Sequence, residues 1–320
     1  MIKINVFGLE FIYRLSIDDK FIGNDKKYYN KTVSMYDEIS SSIDRSSKDI
    51  PGEAKGSYKR FGRTIKNMAK NAFDNSFGYI ASSWQNYKTK RALKKGDHKP
   101  IVYTIHGRVQ NKGAHWRMGK ELKKQGFHVY HLKGNHGLGD VNKSKEKAYA
   151  QMDKLHKYAG TNPASINSYI SGHSSGADLG AEIAKDDKLH DYGIKGVQYR
   201  AGTPYGIKKK NLYSRAVAAL VNIKDDFRNT DEGKAKMAKN YFSDPKVPIY
   251  ASVGKYDRLV NPKDGFYKSA TSFKVLDHKD AGHFGTSGQH KKINKYNVDE
   301  LKKMAGNYGA NNNEKYKDAA

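Results

Sequence analysis

The chain has no cysteine among its 320 residues, so disulfides and thiolate chemistry are excluded and no redox compartment can be read from it. It also lacks any run of about 18 apolar residues, so no segment reads as membrane-spanning. The N-terminal stretch Met1 to Leu15 is apolar but is interrupted by Lys3, Asn5, Glu10 and Arg14. It offers no clean apolar h-region and no small-residue cleavage site, so a conventional secretory signal is not expected. The expected location is the cytoplasm, or outside the cell by a non-classical route. Acidic residues are few, 33 against 59 lysines and arginines, which leaves a formal charge of +26 and a pI near 9.7. Such a field favours anionic partners, and an anionic membrane surface is one candidate. Arginine forks are scarce beside lysine, and neither zinc-finger spacing nor an RNP motif occurs, so specific nucleic-acid binding is not expected. Solubility alone accounts for the charge about as well as binding does.

At this length one large domain with an appendage is the natural organisation, and no internal repeat is visible. The character of the chain changes near Lys99. Residues 1–98 read as a mainly helical basic extension with little strand signal after the first dozen residues. Phe61, Ile65, Met68 and Ala72 fall at helical spacing, and Phe77, Ile80, Trp84 and Tyr87 repeat it before the basic run Lys88-Thr89-Lys90-Arg91. A basic amphipathic helix of this kind suits an anionic membrane. The plainer expectation, and the favoured one, is that the apolar stripes pack on the main domain and the lysines are simply solvated.

From Lys99 onward strands and helices alternate, which predicts an α/β fold with a mostly parallel central sheet flanked by helices. Expected strands are Ile101 to Ile105, His128 to Leu132, Ile166 to Ile170, Gly196 to Tyr199, Ile249 to Val253 and Ser272 to Leu276. Expected helices are Ala114 to Gln125, Ser144 to Tyr158, Ser175 to Lys185 and a closing segment Asn297 to Met304. Residues 99–305 then form the main domain. A lid-like insertion spans 205–243, with Lys208-Lys209-Lys210 beside an apolar Val217 to Val221 patch, and a disordered tail spans 306–320.

Within this frame Gly172-His173-Ser174-Ser175-Gly176 carries the chemistry. With glycine at 30 of 320 positions, a G-x-S-x-G pattern arises by chance roughly 0.2 times in such a chain, so context must decide. A β-prone run precedes it and a helix-forming segment follows, which is the setting of a nucleophile elbow. A serine needs a histidine base and a carboxylate to orient that base. Asp257 follows the strand at Ile249, and His283 follows the strand at Ser272, each on a loop and in the order serine, acid, histidine. His278, Asp264 and Asp280 are fallback positions. Oxyanion donors are expected from the backbone N–H of Ser175 and from the loop His106-Gly107-Arg108, at the amide of Arg108. The Arg108 guanidinium is expected either to meet an anionic part of the substrate or to be solvated or salt-bridged. His128-x-x-His131 and His136 lie close in sequence, but residues three apart on a strand face opposite ways, so no metal site is expected, and no cofactor.

The order His106-Gly107, Gly172-x-Ser174-x-Gly176, Gly254-x-x-Asp257-x-x-Val260 and Gly282-His283 resembles the α/β-hydrolase superfamily, closest to bacterial lipases and carboxylesterases. Gln125-Gly126-Phe127-His128-Val129 and Gly202-Thr203-Pro204-Tyr205-Gly206 are similar to further segments of those enzymes, with Tyr205 in place of a usual histidine. The resemblance covers roughly residues 99 to 305 and implies an ester or lipid substrate cleaved through an acyl-enzyme on Ser174. Lys112 and His115 crowd an oxyanion loop that lacks the extra glycines of many lipases. An acyltransferase or peptidase using the same triad, or a non-catalytic basic binding or structural protein on a hydrolase scaffold, are the competing readings.

Overall fold

The computed structural model describes residues 2–6, 9–13, 75, 77–107, 110–133, 140–202, 242–257, 259–260, 267, 269–288 and 290–317, with 2–6, 9–13 and 307–317 as backbone alone. The chain divides into two compact units, Met1–Gly62 and Arg63–Ala320. In the first, β1 (Ile2–Val6) and β2 (Leu9–Tyr13) pair antiparallel, from Ile2 opposite Tyr13 to Val6 opposite Leu9. The stripe at Phe61, Ile65, Met68 and Ala72 lies outside the described residues, as does all of 205–243 except its last two positions.

The second unit is built on six strands: β3 (Ile101–Ile105), β4 (His128–His131), β5 (Ser168–His173), β6 (Ile194–Arg200), β7 (Ile249–Gly254) and β8 (Ser272–Leu276). They lie in the order β4-β3-β5-β6-β7-β8, and every neighbouring pair is parallel. The helices are α1 (residues 77–94), α2 (Trp116–Lys124), α3 (Val141–Ala159), α4 (Ser175–Ile183) and α5 (Lys291–Lys317). The chain steps outward from β3 to β4, then returns past β3 to lay down β5. Beyond the carboxyl ends of β3 and β5 the sheet therefore has a switch point, the place where open α/β sheets form their sites.

Two observed strands, β3 and β8, match the sequence expectation residue for residue. β5 starts two residues late, because Asn162 Oδ1 accepts from the Ala164 N–H and caps a short turn, Pro163–Ser165, that takes up Ile166. It then runs on through Gly172 and His173, which keep their pairing with Ile105 and Arg200. α3 starts at an Asp140 cap, whose carboxylate accepts from the Lys143 N–H at 2.9 Å, and ends at Gly160 in the left-handed conformation. α5 is longer than the expected closing segment Asn297 to Met304, running from Lys291 to Lys317.

Alternation along the strands divides the core between the two sheet faces. Ile101, Tyr103, Ile105 and Ile170 pack with Met152 and Leu155 of α3 and Ala177 and Leu179 of α4. Val102, Val129 and Tyr169 pack with Met118 and Leu122 of α2 and Val298 and Leu301 of α5.

α1 closes the open edge of the sheet. β4 is an edge strand whose outer backbone groups need partners. The Asn86 amide supplies two, donating to His131 O at 2.9 Å and accepting from the His131 N–H at 2.7 Å, while the Thr89 hydroxyl donates to Val129 O at 2.7 Å. Ser82 donates to Lys112 O, and the Gln85 carboxamide donates to Trp116 O. The buried side of α1 is thus mostly polar, with Ser82, Gln85, Asn86 and Thr89 turned inward beside Leu93. The apolar stripe expected to pack on the domain does so only at Phe77, against Trp116. Ile80, Trp84 and Tyr87 face outward instead.

Candidate active site

Ser174 occupies the turn between β5 and α4 at φ 54°, ψ −128°, a backbone conformation rare for a residue with a side chain. Crowding around the turn explains its glycines. A Cβ at Gly172 would stand 2.3 Å from Gly176 O, and one at Gly176 would stand 2.4 Å from Ile105 O and 2.5 Å from His106 O. A Cβ at Gly107 would stand 2.8 Å from that of Ser174, so the loop after β3 passes directly over the serine. The Ser174 N–H donates to Arg200 O, tying the turn to the end of β6.

Three side chains from three loops meet here. His283 Nε2 lies 3.0 Å from Ser174 Oγ, and His283 Nδ1 lies 2.9 Å from Asp257 Oδ2. A carboxylate only accepts, so Nδ1 carries the proton and donates, which leaves Nε2 bare to accept from the serine hydroxyl. The other oxygen of Asp257 accepts from the N–H groups of Leu259 and Val260, at 2.9 and 3.0 Å. Four directed contacts therefore fix carboxylate, imidazole and hydroxyl in one row, with the Asp257 side chain fully buried and that of His283 nearly so. The acid and histidine loops are also joined through backbone: the Lys255 N–H donates to Leu276 O and the Tyr256 N–H to Ala281 O.

Ser175 opens α4, so its amide stands at the positive end of that helix. Arg108 lies outside the described residues. His106 is buried, with Nδ1 2.9 Å from Gly107 O, and the Gly107 N–H donates to Gln110 Oε1. Of the two residues expected to crowd this loop, Lys112 reaches toward α1 and donates to Ser83, while His115 is buried against Arg200. Burial, then the charges of Lys133 and Lys90, pushes the Lys112 ammonium down to about 8.

A buried layer beneath the histidine loop was not legible in the sequence. His173 Nε2 donates to the backbone carbonyl of His283 at 2.8 Å, and the Thr286 hydroxyl donates to the same carbonyl at 2.7 Å. Arg200 is completely buried and donates to Thr286 O and to His115 Nδ1, both at 2.9 Å. Burial pushes its guanidinium down to about 9. Burial, followed by the charges of His283 and Arg200, also holds His173 well below the usual histidine value, so it supports the loop as a neutral donor. A lone arginine at a strand end carries no pattern that separates it from the many solvated lysines around it.

Of the fallback residues, Asp264 lies outside the described residues. His278 and Asp280 share the histidine loop but point toward His290: His290 Nε2 is 3.0 Å and His278 Nδ1 3.7 Å from Asp280 Oδ2. Among the described residues these three form the one group whose ligand-type atoms gather within 4.8 Å. His128 contacts Asp97 O, and His131 lies between Thr104 and Gln85, so these two are parts of the fold.

No family model matches the chain, and no curated protein matches it. Among solved structures it is similar to an esterase of Pyrococcus furiosus, at 16% identity over 64% of this chain and 82% of that one, with a TM-score of 0.42. It is similar to monoglyceride lipase of Saccharomyces cerevisiae at 15% identity, over 64% of this chain and 85% of the other, with a TM-score of 0.45. A fungal esterase of Rhizomucor miehei matches at 14% identity, over 66% and 76% of the two chains, with a TM-score of 0.48. The parallel sheet in the order β4-β3-β5-β6-β7-β8, flanked by helices and bearing a strained strand-to-helix turn at its switch point, is the α/β-hydrolase fold, and the chain has it.

Proposed function

We propose that the protein is a serine hydrolase of carboxylic esters, of the lipase or carboxylesterase type. The reading rests on one observation, the row of hydrogen bonds from Asp257 through His283 to Ser174 at a turn whose backbone is held at φ 54°. In this reading Ser174 Oγ attacks the ester carbonyl while His283 Nε2 takes its proton. The negative charge on the tetrahedral oxygen meets the amide of Ser175, aided by the N-terminal end of α4, and the amide of Arg108. His283 then returns the proton to the departing alkoxide, leaving an acyl group on Ser174. A water molecule, deprotonated by His283, attacks that acyl group, and the carboxylic acid leaves with Ser174 restored. Asp257 keeps Nδ1 protonated throughout and stabilises the imidazolium between steps.

Hydrolysis of p-nitrophenyl esters from short to long acyl chains, by the full chain and by Ser174→Ala, tests the reading, together with covalent labelling by a fluorophosphonate. Labelling confined to the unaltered protein, and turnover lost in the variant, are the expected results. Absence of both in a folded protein would discard the hydrolase reading in favour of a non-catalytic basic scaffold. The optimum chain length would separate an esterase from a lipase.

A further inference from the structure

The outward face of α1 is the most unusual surface among the described residues. In a helix packed on a soluble domain the apolar stripe turns inward, and here it does the reverse. Ile80 is 63% exposed, Trp84 56% and Tyr87 43%, while Ser82, Gln85, Asn86 and Thr89 are buried on the opposite side. At about 100° per residue, Ile80, Trp84, Tyr87 and Arg91 fall within about 60° of one another, roughly opposite Thr89. The cause is local: the polar side is committed to the open edge of β4 through Asn86 and Thr89, so no rotation of the helix can hide the stripe without orphaning those backbone groups.

The stripe carries its own cations. The Trp84 and Tyr87 rings stack at 5.4 Å, with Lys88 Nζ 5.3 Å from the Trp84 ring centre and the Arg91 guanidinium 5.8 Å from that of Tyr87. Farther along, Lys94 lies 5.4 Å from the ring of Tyr158, itself 47% exposed. An apolar ridge with an indole and a phenol at its centre and cations at its flanks matches the layered chemistry of an anionic bilayer surface, with acyl chains below and phosphates above. We propose that α1 docks this protein onto anionic lipid, with Ile80, Trp84 and Tyr87 entering the headgroup boundary and Lys88, Arg91 and Lys94 meeting the phosphates.

Two other occupants fit less well. The apolar segment at Phe61 to Ala72 is itself basic, with Lys59, Arg60, Arg63, Lys66 and Lys70, and would bring like charge against Lys88 and Arg91. Single-stranded nucleic acid needs open ring faces for its bases, and here the faces are occupied by the partner ring and by Lys88 and Arg91. The overall charge of +26 adds long-range attraction to any anionic surface and so must be separated from the local face.

Cosedimentation of the full chain with vesicles of phosphatidylcholine alone, and of phosphatidylcholine mixed with phosphatidylglycerol, at low and physiological salt, provides that separation. Binding is expected for the mixed vesicles only. Trp84→Ala with Tyr87→Ala should weaken partitioning by about tenfold or more at either salt, since it removes apolar insertion. Lys88→Glu with Arg91→Glu should weaken it by about fivefold or more per residue at low salt, and less at higher salt. Lys295→Glu with Lys302→Glu, an equal charge reversal on exposed positions of α5, should leave most of the binding intact. All these sites are on the surface, and a thermal melt of each variant checks folding. Failure to bind mixed vesicles, equal losses from the two charge reversals, or indifference to the aromatic pair would each overturn the proposal. So would a dimer dissolved by Trp84→Ala, or tighter binding to an oligonucleotide than to vesicles.

Discussion

Gly176→Ala puts the turn at Ser174 to its sharpest test. The added Cβ would stand 2.4 Å from Ile105 O, 2.5 Å from His106 O and 2.7 Å from Ile105 C, all of them backbone atoms of β3 and the loop that leaves it. Ordinary contact begins at 3.4 Å, so α4 and the end of β3 must part by about 1 Å, and no rotamer change relieves the clash. Overpacking of this kind costs about 1–3 kcal/mol, and backbone on both sides argues for the upper end. For a unit of this size that corresponds to a fall in Tm of about 4–10 °C. The displaced helix also carries Ser175 and the turn that aims Ser174. A shift of about 1 Å at reacting groups costs on the order of 100-fold in rate, and loss of one oxyanion donor costs a similar factor.

The control sits one turn along the same helix. A Cβ at Gly180 meets only Ile170 Cγ2 and Val197 Cγ1, each at 3.2 Å, and side-chain methyls give way where backbone does not. Gly180→Ala should therefore melt within about 2 °C of the parent and retain most of its ester turnover. Thermal unfolding and p-nitrophenyl ester kinetics on the three proteins decide the matter. If Gly176→Ala keeps both its Tm and its kcat near those of the parent while Gly180→Ala loses them, the steric account of the turn is wrong.

Three further outcomes follow from the same contacts. Asp257→Asn leaves the shape of the site intact but lets an amide face His283 Nδ1, which selects the wrong tautomer; kcat for esters should drop by about 10⁴ with little change in Tm, and an unaltered kcat would remove Asp257 from the mechanism. Acid should destabilise the fold well above the carboxylate range. Burial, followed by the charges of Lys123, Lys112 and His106, pushes His131 down to about 3, so between its unfolded value near 6.5 and that point the unfolded chain binds a proton that the folded chain refuses. Stability should then fall as pH falls, by about 2 kcal/mol from this residue by pH 5, with His115 and His173 adding in the same direction; urea unfolding curves that coincide at pH 7 and pH 5 would refute it. Asn86→Leu strips two hydrogen bonds from the His131 backbone at the sheet edge and should cost about 2–4 kcal/mol, seen as a lower urea midpoint and faster amide exchange in β4.

The strands were readable because each is a short apolar run between helix-forming segments, and a parallel sheet buried on both faces leaves little else for such runs to do. β3 and β8 needed no correction. β5 did, because its start depends on a side-chain cap at Asn162 and its end on pairing through Gly172 and His173, neither of which hydropathy records. Ser174, Asp257 and His283 were singled out by order and by position after strands, a pattern that survives as spacing in one dimension. Arg200 and the supporting role of His173 were not, because what joins them to the histidine loop is burial beneath a segment more than 80 residues away in sequence.

α1 shows the limit from the other side. Its stripe of Ile80, Trp84 and Tyr87 was plain in the sequence, yet the inference that an apolar stripe faces the core turned it the wrong way. Periodicity reports that a helix has two faces, and the partner decides which of them is buried. A core of apolar side chains would have taken the stripe, whereas the edge of β4 offers unpaired N–H and C=O groups that only Asn86, Thr89 and their neighbours can meet. Leaving the three groups unpaired costs about 3–9 kcal/mol, as much as or more than burying an exposed tryptophan and tyrosine would return. The balance was therefore settled by hydrogen bonding at the sheet edge, and the aromatic face was left outward beside its own lysines and arginine.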